Sequence, residues 1–135
     1  MIEAAKNELK KTHGKIVCIS SIAGIENTKA PLTYSVAKSA LNTYVKGISQ
    51  VLAKDDIRIN AIAPGNILFK DSVWDKKFKE NPKFVEELLQ KEVALNRLGT
   101  PEEIANFVIF ISSELSDFAT GSTFVVDGGQ TRSTH

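Results

Sequence analysis

Residues 15–65 decide the fold: they read KIVCISSIAGIENTKAPLTYSVAKSALNTYVKGISQVLAKDDIRINAIAPG. Two runs rich in branched apolar residues, 15–20 and 57–63, end at small or turn-forming residues, as buried strands do. Between them, apolar or small side chains recur three and four positions apart, a spacing typical of a helix with one buried face. These positions are Ala37, Ala40, Leu41, Tyr44, Val45, Ile48, Val51 and Leu52. The segment therefore predicts a strand, a crossover helix and a second, parallel strand.

A further helix and strand are predicted within residues 100–126. Thr100 suits an N-cap, Pro101 suits the first helical position, and Glu103 can return the second bond of a capping box. We expect about four turns of helix, and the residues expected to face inward are Ile104, Ala105, Val108, Ile111 and Leu115. The apolar run 123–126 predicts the third strand. Strands that alternate with such helices predict the α/β fold class, with a doubly wound parallel sheet.

The longest connection, residues 66–98, follows the second strand. It contains one predicted helix near residues 82–91. Its apolar side chains are Phe69, Val73, Trp74, Phe78, Phe84, Leu88 and Leu89. Long excursions after a strand are often functional lids. Trp74 has two interpretations, contact with a substrate or packing within the lid.

Composition excludes several classes of protein. The formal net charge is +1, with 17 basic and 16 acidic residues. The sequence contains no block of basic residues of the kind that binds nucleic acid or anchors a protein to a membrane surface. The single cysteine, Cys18, excludes an internal disulfide and favours a reducing compartment. Residues 1–14 lack the features of a signal peptide, and no apolar run approaches the ~20 residues of a membrane span. We therefore expect one cytoplasmic domain, and neither His13 nor His135 resembles a metal ligand.

Polar side chains gather where the first two strands end. Ser21 follows the first strand, and Tyr34 and Lys38 lie one turn apart at the start of the crossover helix. Ligands of parallel α/β sheets bind beyond the carboxyl ends of the strands. A phenol with an ordinary pKa of ~10 exchanges protons poorly near neutral pH unless a cation such as Lys38 stabilises its anion. Ser21 could hold charge that develops on a substrate oxygen, while a hydride would have to come from a cofactor.

Each of these features alone has a simpler interpretation. A Tyr and a Lys four residues apart occur on many solvated helix faces, Ser21 could be a capping residue, and Pro64 with Gly65 commonly marks a turn. Five motifs in order nevertheless resemble the short-chain dehydrogenase/reductase family, whose fold is Rossmann-like. They are SSIAG (20–24), YSVAK (34–38), RINAIAPG (58–65), RLGTPEEIA (97–105) and VVDGG (125–129). The spacing of Ser21 and Tyr34 is similar to that of bacterial 3-oxoacyl-acyl-carrier-protein reductases.

The resemblance implies catalytic roles for three residues in hydride exchange between a carbonyl and a secondary alcohol. Tyr34 would be the general acid and base, and Ser21 would polarise the substrate carbonyl. Lys38 would stabilise the Tyr34 anion and bind the hydroxyls of the nicotinamide ribose.

The resemblance also implies NAD or NADP as the cofactor. Pro64 and Gly65 would lie close to the nicotinamide, and the backbone of Ile67 would bind its carboxamide. Phe69 stands where the family's pattern usually has a threonine, so a hydroxyl contact to the cofactor is missing there. Asp127 and the two glycines after it resemble the family's last strand and its turn, which are structural.

Other parts of the family's pattern are not found in these 135 residues. They lack the TGxxxGxG turn that cradles the pyrophosphate, the residue that selects NAD or NADP, and the NNAG segment. The family's catalytic asparagine would fall before Met1. The resemblance thus implies that residues 1–135 are the C-terminal catalytic portion of a short-chain dehydrogenase/reductase domain. They would form a partial doubly wound sheet with the last three of the family's seven strands. The N-terminal cofactor-binding half would be missing.

An incomplete parallel sheet exposes an apolar edge, which favours association. We expect either a homo-oligomer through helices 2–12 and 34–53, or association with a separate N-terminal half. Two functions stay open: an oxidoreductase with an incomplete cofactor site, and a non-catalytic remnant or assembly partner that retains the family's subunit interface. A generic α/β binding module would leave the ordered motifs unexplained.

Overall fold

A computed structural model describes residues 2–134 of the chain; the expectation for His135 lies outside them. The elements are α1 (Ile2–Lys11), β1 (Lys15–Ile19), α2 (Leu32–Leu52), β2 (Arg58–Pro64), α3 (Val73–Glu80), α4 (Pro82–Glu92), α5 (Pro101–Ser112) and β3 (Thr123–Val126). Single turns of 3₁₀ helix lie at Ile22–Gly24, Ala53–Asp55 and Glu114–Ser116. The three predicted strands and the two predicted crossover helices are confirmed.

The three strands form one parallel sheet with β2 at its centre. β1 pairs with β2 from Lys15 opposite Arg58 onward, and β2 pairs with β3 from Ala61 opposite Thr123 onward. All three strands therefore end at the same edge of the sheet. This arrangement confirms the predicted α/β class and parallel sheet.

Alternate residues of β2 face opposite sides of the sheet, as in any strand. Ile59 and Ala61 are fully buried and pack with Val45 and Leu52 of α2, and α1 adds Leu9 to the same cluster. This face carries the main apolar core.

The intervening residues of β2 face α5. The Arg58 guanidinium donates to the carbonyls of Ser113 and Ala119, both at 3.0 Å. The buried Asn60 amide donates to Ala119 O at 2.8 Å, and its oxygen accepts from the Ser122 backbone at 3.1 Å. Helices thus cover both faces of the sheet, and two polar side chains hold the loop that leads into β3.

Only part of the predicted inward face of α2 is buried. Val45 and Leu52 are buried, and Leu41 and Ile48 are half-buried. The other positions of the apolar pattern that predicted this helix, Ala37, Ala40, Tyr44 and Val51, are exposed. The apolar residues of α2 occupy two adjacent faces, whereas the sheet covers one.

The inward face of α5 was predicted correctly at Ile104 and Ile111, which are buried, while Val108 is half-buried. Ala105 and Leu115 are exposed, so both of those predictions were wrong. The helix ends at Ser112, and the Ser113 hydroxyl accepts a hydrogen bond from the Leu115 backbone at 3.2 Å. That bond begins a separate 3₁₀ turn, so Leu115 no longer continues the buried face of α5.

The connection after β2 holds two helices, of which the sequence predicted only α4. The missed helix, α3, is capped by Ser72, whose hydroxyl accepts from the Asp75 backbone at 3.0 Å. A second apolar cluster joins the two helices, and its members are Val85, Leu89, Val93, Leu98 and the half-buried Trp74. These contacts favour packing as the role of Trp74. Across residues 2–134, none of the helices combines the length and apolarity that a membrane crossing requires.

Candidate active site

The segment after β1 is pressed against the start of α2. A Cβ atom at Gly24 would lie 2.6 Å from the carbonyl carbon of Lys38 and 2.8 Å from the Ser39 nitrogen. Only glycine allows this approach, because contacts that short would displace backbone. Ser21 caps the 3₁₀ turn, where its hydroxyl accepts from the Ala23 backbone at 3.2 Å. Gly24 therefore seats the Ser21 loop on the helical turn that carries Lys38.

Lys38 is anchored at the carboxyl end of β1. Its ammonium donates to the carbonyl of Ile19 at 2.8 Å, and its own carbonyl accepts from the buried Ser20 hydroxyl at 3.4 Å. The Lys38 Nζ atom lies 5.6 Å from the centroid of the Tyr34 ring. The structure thus brings Tyr34 and Lys38 together and places the Ser21 loop against the same turn of α2.

The turn after β2 is built from close backbone contacts. The Gly65 N–H donates to Val126 O at 3.0 Å, and a Cβ on Gly65 would lie 2.8 Å from the Asp127 Cα. The Asn66 N–H donates to the Gln130 side chain at 3.2 Å. Packing against the end of β3 alone accounts for the glycine at position 65.

Ile67 forms a one-residue parallel bridge with Gly99. The Gly99 N–H donates to Asn66 O at 2.9 Å, and the Leu68 N–H donates to Gly99 O at 2.8 Å. In a parallel ladder, only one residue of each pair makes the two backbone hydrogen bonds, and here that residue is Gly99. The backbone N–H and C=O of its partner, Ile67, point away from the Gly99 segment. Within residues 2–134, the backbone N–H and C=O of Ile67 have no hydrogen-bond partner.

A cavity of about 110 Å³ lies beside this bridge. Gly65, Ile67, Gly99 and Glu103 line it, together with residues at the end of β3. None of Ser21, Tyr34 and Lys38 does. These three side chains sit instead beside β1, an edge strand whose outer side has no neighbouring strand in the described part of the chain. Tyr34 is accordingly 44% exposed.

His13, which the sequence analysis did not expect to bind a metal, pairs with a carboxylate. His13 Nδ1 lies 2.7 Å from the Asp56 carboxylate, and both side chains are exposed. Among residues 2–134, no three His, Cys, Asp or Glu side chains gather as a metal-binding group.

The contact between residues 66–68 and Gly99 was missed at the sequence level. The RLGTPEEIA motif predicted a capping box, which the structure confirms: Glu103 N donates to Thr100 Oγ1 at 3.3 Å and Thr100 N to Glu103 Oε2 at 2.9 Å. The one available signal was Gly99, since a residue without a side chain permits close approach of another segment.

The sequence of this chain matches a known protein family. The family model described as enoyl-(acyl carrier protein) reductase matches residues 1–131. The chain is 38% identical over 131 residues to isoepoxydon dehydrogenase of Penicillium expansum, covering 96% of this chain and 50% of that protein. It is 40% identical over 121 residues to the 3-oxoacyl-[acyl-carrier-protein] reductase of Chlamydia muridarum, covering 90% and 46%. The chain thus spans about half the length of the curated relatives it matches.

Solved structures agree with the sequence matches. L-sorbose reductase of Gluconobacter frateurii, complexed with NADPH and L-sorbose, superimposes with a TM-score of 0.89 at 28% identity, over 98% of this chain and 53% of that one. A 3-oxoacyl-[acyl-carrier protein] reductase of Brucella melitensis gives 0.86 at 30% identity, over 98% and 48%. The order of motifs, the parallel sheet and these matches together show that the chain belongs to the short-chain dehydrogenase/reductase family.

Proposed function

We propose that residues 1–135 are the C-terminal catalytic portion of an NAD- or NADP-dependent oxidoreductase that exchanges a hydride between the cofactor and a small carbonyl or secondary alcohol substrate. One observation carries the proposal: the Lys38 ammonium, held by the Ile19 carbonyl, lies beside the Tyr34 ring. A cation fixed next to an accessible phenol is what proton exchange by that phenol requires.

Three side chains divide the chemistry of carbonyl reduction. The cofactor, when bound, supplies the hydride that reaches the carbonyl carbon. Tyr34 gives its hydroxyl proton to the carbonyl oxygen, and Lys38 stabilises the phenolate left behind. Ser21 donates a hydrogen bond to the same oxygen and holds the charge that develops on it. In alcohol oxidation the Tyr34 phenolate takes the proton back from the substrate hydroxyl, while Ser21 keeps its own proton.

The residues present fit the nicotinamide end of such a cofactor. Ile67 offers one backbone donor and one acceptor without a partner in residues 2–134, and a carboxamide has the complementary acceptor and donors. Lys38 has three N–H donors, of which one is used by Ile19, so two can reach ribose hydroxyls. Pro64 and Gly65 lead directly into this segment. The exposed Phe69 supplies no hydroxyl.

Residues 1–135 contain no glycine-rich turn for the pyrophosphate, so this fit ends at the ribose. The proposed site accordingly needs phosphate contacts from outside these residues. An N-terminal half, on the same chain or a separate one, would supply them along the open edge of β1.

The exposed apolar face of α2 supports a homo-oligomer. It carries Ala40, Tyr44 and Val51, and Val51 is 49% exposed. A second copy of α2 would cover this face. A cytoplasmic location is supported by the single, half-buried Cys18, which has no cysteine partner in the sequence.

A Tyr34→Phe substitution tests the catalytic role. In a chimera that carries the first half of the Chlamydia muridarum reductase before residue 1, this change should lower carbonyl-reductase turnover by ~10²-fold or more, as expected for a lost general acid. Tyr44→Phe is the matched control, since Tyr44 lies on the same helix with the same 44% exposure. Near-normal turnover of Tyr34→Phe would remove Tyr34 from its role. A chimera that folds but never turns over would favour the non-catalytic assembly partner.

A further inference from the structure

The position of Ile67 depends on a neighbouring loop segment, residues 97–100. Gly99 makes both backbone hydrogen bonds of the bridge, one to Asn66 O and one from Leu68 N. A Cβ at Gly99 would lie 2.7 Å from the Ile67 Cδ1 atom, so the two segments are in direct contact at this point. Any displacement of residues 97–100 would therefore displace Ile67.

One carboxylate holds residues 97–100 at both ends. The Arg97 guanidinium donates to Glu103 Oε2 at 2.9 Å and to Oε1 at 2.6 Å, a bidentate pair. Glu103 Oε2 also accepts from the Thr100 backbone N–H at 2.9 Å. The same Arg97 donates to the Leu98 carbonyl at 3.2 Å. Paired N–H donors fix the plane of a carboxylate, so this contact adds geometric specificity to its attraction.

General stability is a poor explanation for this ion pair. The Arg97 and Glu103 side chains are 52% and 41% exposed, and exposed ion pairs contribute little to the free energy of unfolding. What the pair does constrain is local geometry, because it closes residues 97–100 onto the first turn of α5. We name the pair, together with Gly99, the Arg97–Glu103 clamp.

Building on the proposed function, we infer that Arg97 and Glu103 are positioning residues that set the Ile67 backbone where its N–H and C=O meet the carboxamide of nicotinamide. Neither side chain touches the cofactor in this assignment. Both act through the Gly99 bridge. A misplacement of about 1 Å in a binding group can cost ~10²-fold in rate, so a clamp on an otherwise irregular loop has a functional consequence.

Amide hydrogen exchange of the 135-residue chain, followed by NMR, tests the clamp without any cofactor. Glu103→Gln keeps an acceptor for Thr100 and loses the charged, bidentate pair. The amides of Leu68 and Gly99 should then exchange ~10-fold faster or more through local opening, while the Ala61 amide of β2 is unchanged. Arg97→Lys keeps the charge and loses the bidentate geometry, and should act in the same direction if Glu103→Gln impairs folding.

Asp75→Asn is the matched control. Asp75 also lies in the first turn of a helix, accepts from a backbone N–H at 2.9 Å and pairs with a lysine, Lys79, at 2.7 Å. Within residues 2–134, no hydrogen bond or ion pair joins Asp75 to Ile67, Leu68 or Gly99, so its loss should leave the Leu68 and Gly99 amides unchanged. Unchanged exchange at Leu68 and Gly99 in both Glu103→Gln and Arg97→Lys would overturn the clamp.

Titration with reduced nicotinamide mononucleotide separates the clamp from the proposed function. The Ile67 amide signal of the wild-type chain should shift as ligand is added, and the Kd from that shift should rise ~3-fold or more in Glu103→Gln. An equal Kd in both proteins would overturn the positioning role. A wild-type Ile67 amide that never responds would overturn the proposed function instead, and with it the purpose assigned to the clamp.

Discussion

Glu103 accepts hydrogen bonds from the Arg97 side chain and from the Thr100 backbone, and both lower the pKa of its carboxyl from 4.5 to about 2. A carboxyl whose pKa is depressed in the folded chain stabilises the fold above its unfolded pKa and loses that contribution as pH falls towards the folded value. The clamp's contribution to stability should therefore be complete above about pH 4.5 and decline as pH falls to about 2. In the folded chain the ion pair itself should persist until the Glu103 carboxyl protonates near pH 2.

The carboxyl carbon shift of Glu103 measures this directly. In wild-type chain it should titrate with a midpoint near 2. Arg97→Gln removes the largest cause and should move the midpoint upward. A wild-type midpoint at the ordinary value of 4.5 would mean that the pair does not form in solution.

The contacts of a single residue could be predicted from sequence where a local rule specifies both the residue and its partner. The capping box of Thr100 and Glu103 is such a case, and the structure confirms it. The second partner of Glu103, Arg97, lies outside the helix, and no local rule links it to the carboxylate. The roles of Ser21, Tyr34 and Lys38 stay predictions, although Tyr34 and Lys38 do lie side by side.

At the scale of elements, two glycines in neighbouring segments have opposite surroundings. Gly24 lies against the backbone of α2, where a Cβ would be 2.6 Å from Lys38. A Cβ on Gly47 within α2 would have no atom within 4 Å apart from its chain neighbours and the backbone of its own helix. Gly24→Ala should therefore lower the free energy of unfolding by about 1–3 kcal/mol through overpacking. Gly47→Ala should raise it by about 0.5–1 kcal/mol, since alanine favours helix.

Urea unfolding of both variants checks this pair of predictions. The seating of the Ser21 loop on α2 would be refuted if Gly24→Ala were as stable as the wild-type chain. Gly47 shares a face of α2 with Tyr44 and Val51, so the expected gain applies to the monomer. A destabilised Gly47→Ala in the monomer would show that this chain itself packs against that side of α2.

The helices and strands were predicted from hydrophobic periodicity and from the turn residues that bound them. Which faces of the helices are buried could not be predicted in this way. Strands 15–20, 57–63 and 123–126 were placed correctly because each is short, branched and bounded by turn residues. The missed α3 has a serine cap before Val73 but no sustained apolar period. The apolar stripe of α2 was wider than its buried face, since a period shows which residues are apolar and not how many neighbours cover them.

At the scale of the whole molecule, the uncovered face of α2 predicts self-association. Val51→Glu places a charge on that face and should shift the chain towards monomer in sedimentation velocity. Gln50→Glu is the control, because it adds the same charge at a neighbouring exposed polar position. Identical assembly of wild type and Val51→Glu would place the interface elsewhere.

The structure places β2 at the centre of the sheet. Sequence alone predicted the parallel sheet and its right-handed crossovers, but not this strand order. It could not predict the cavity beside Ile67, which arises from contacts between segments about 30 residues apart. In the proposed site, Lys38 at β1 and Ile67 after β2 form the nicotinamide end. The proposal assigns the phosphate contacts, which provide much of a dinucleotide's affinity, to residues outside 1–135.

Fluorescence titration of the 135-residue chain with NADH and NADPH tests this account most directly. Contacts from Lys38 and Ile67 alone should give millimolar binding, on the order of −4 kcal/mol, with no measurable turnover, and Lys38→Met should weaken it further. Micromolar binding by the chain alone would contradict a site that is limited to the nicotinamide end.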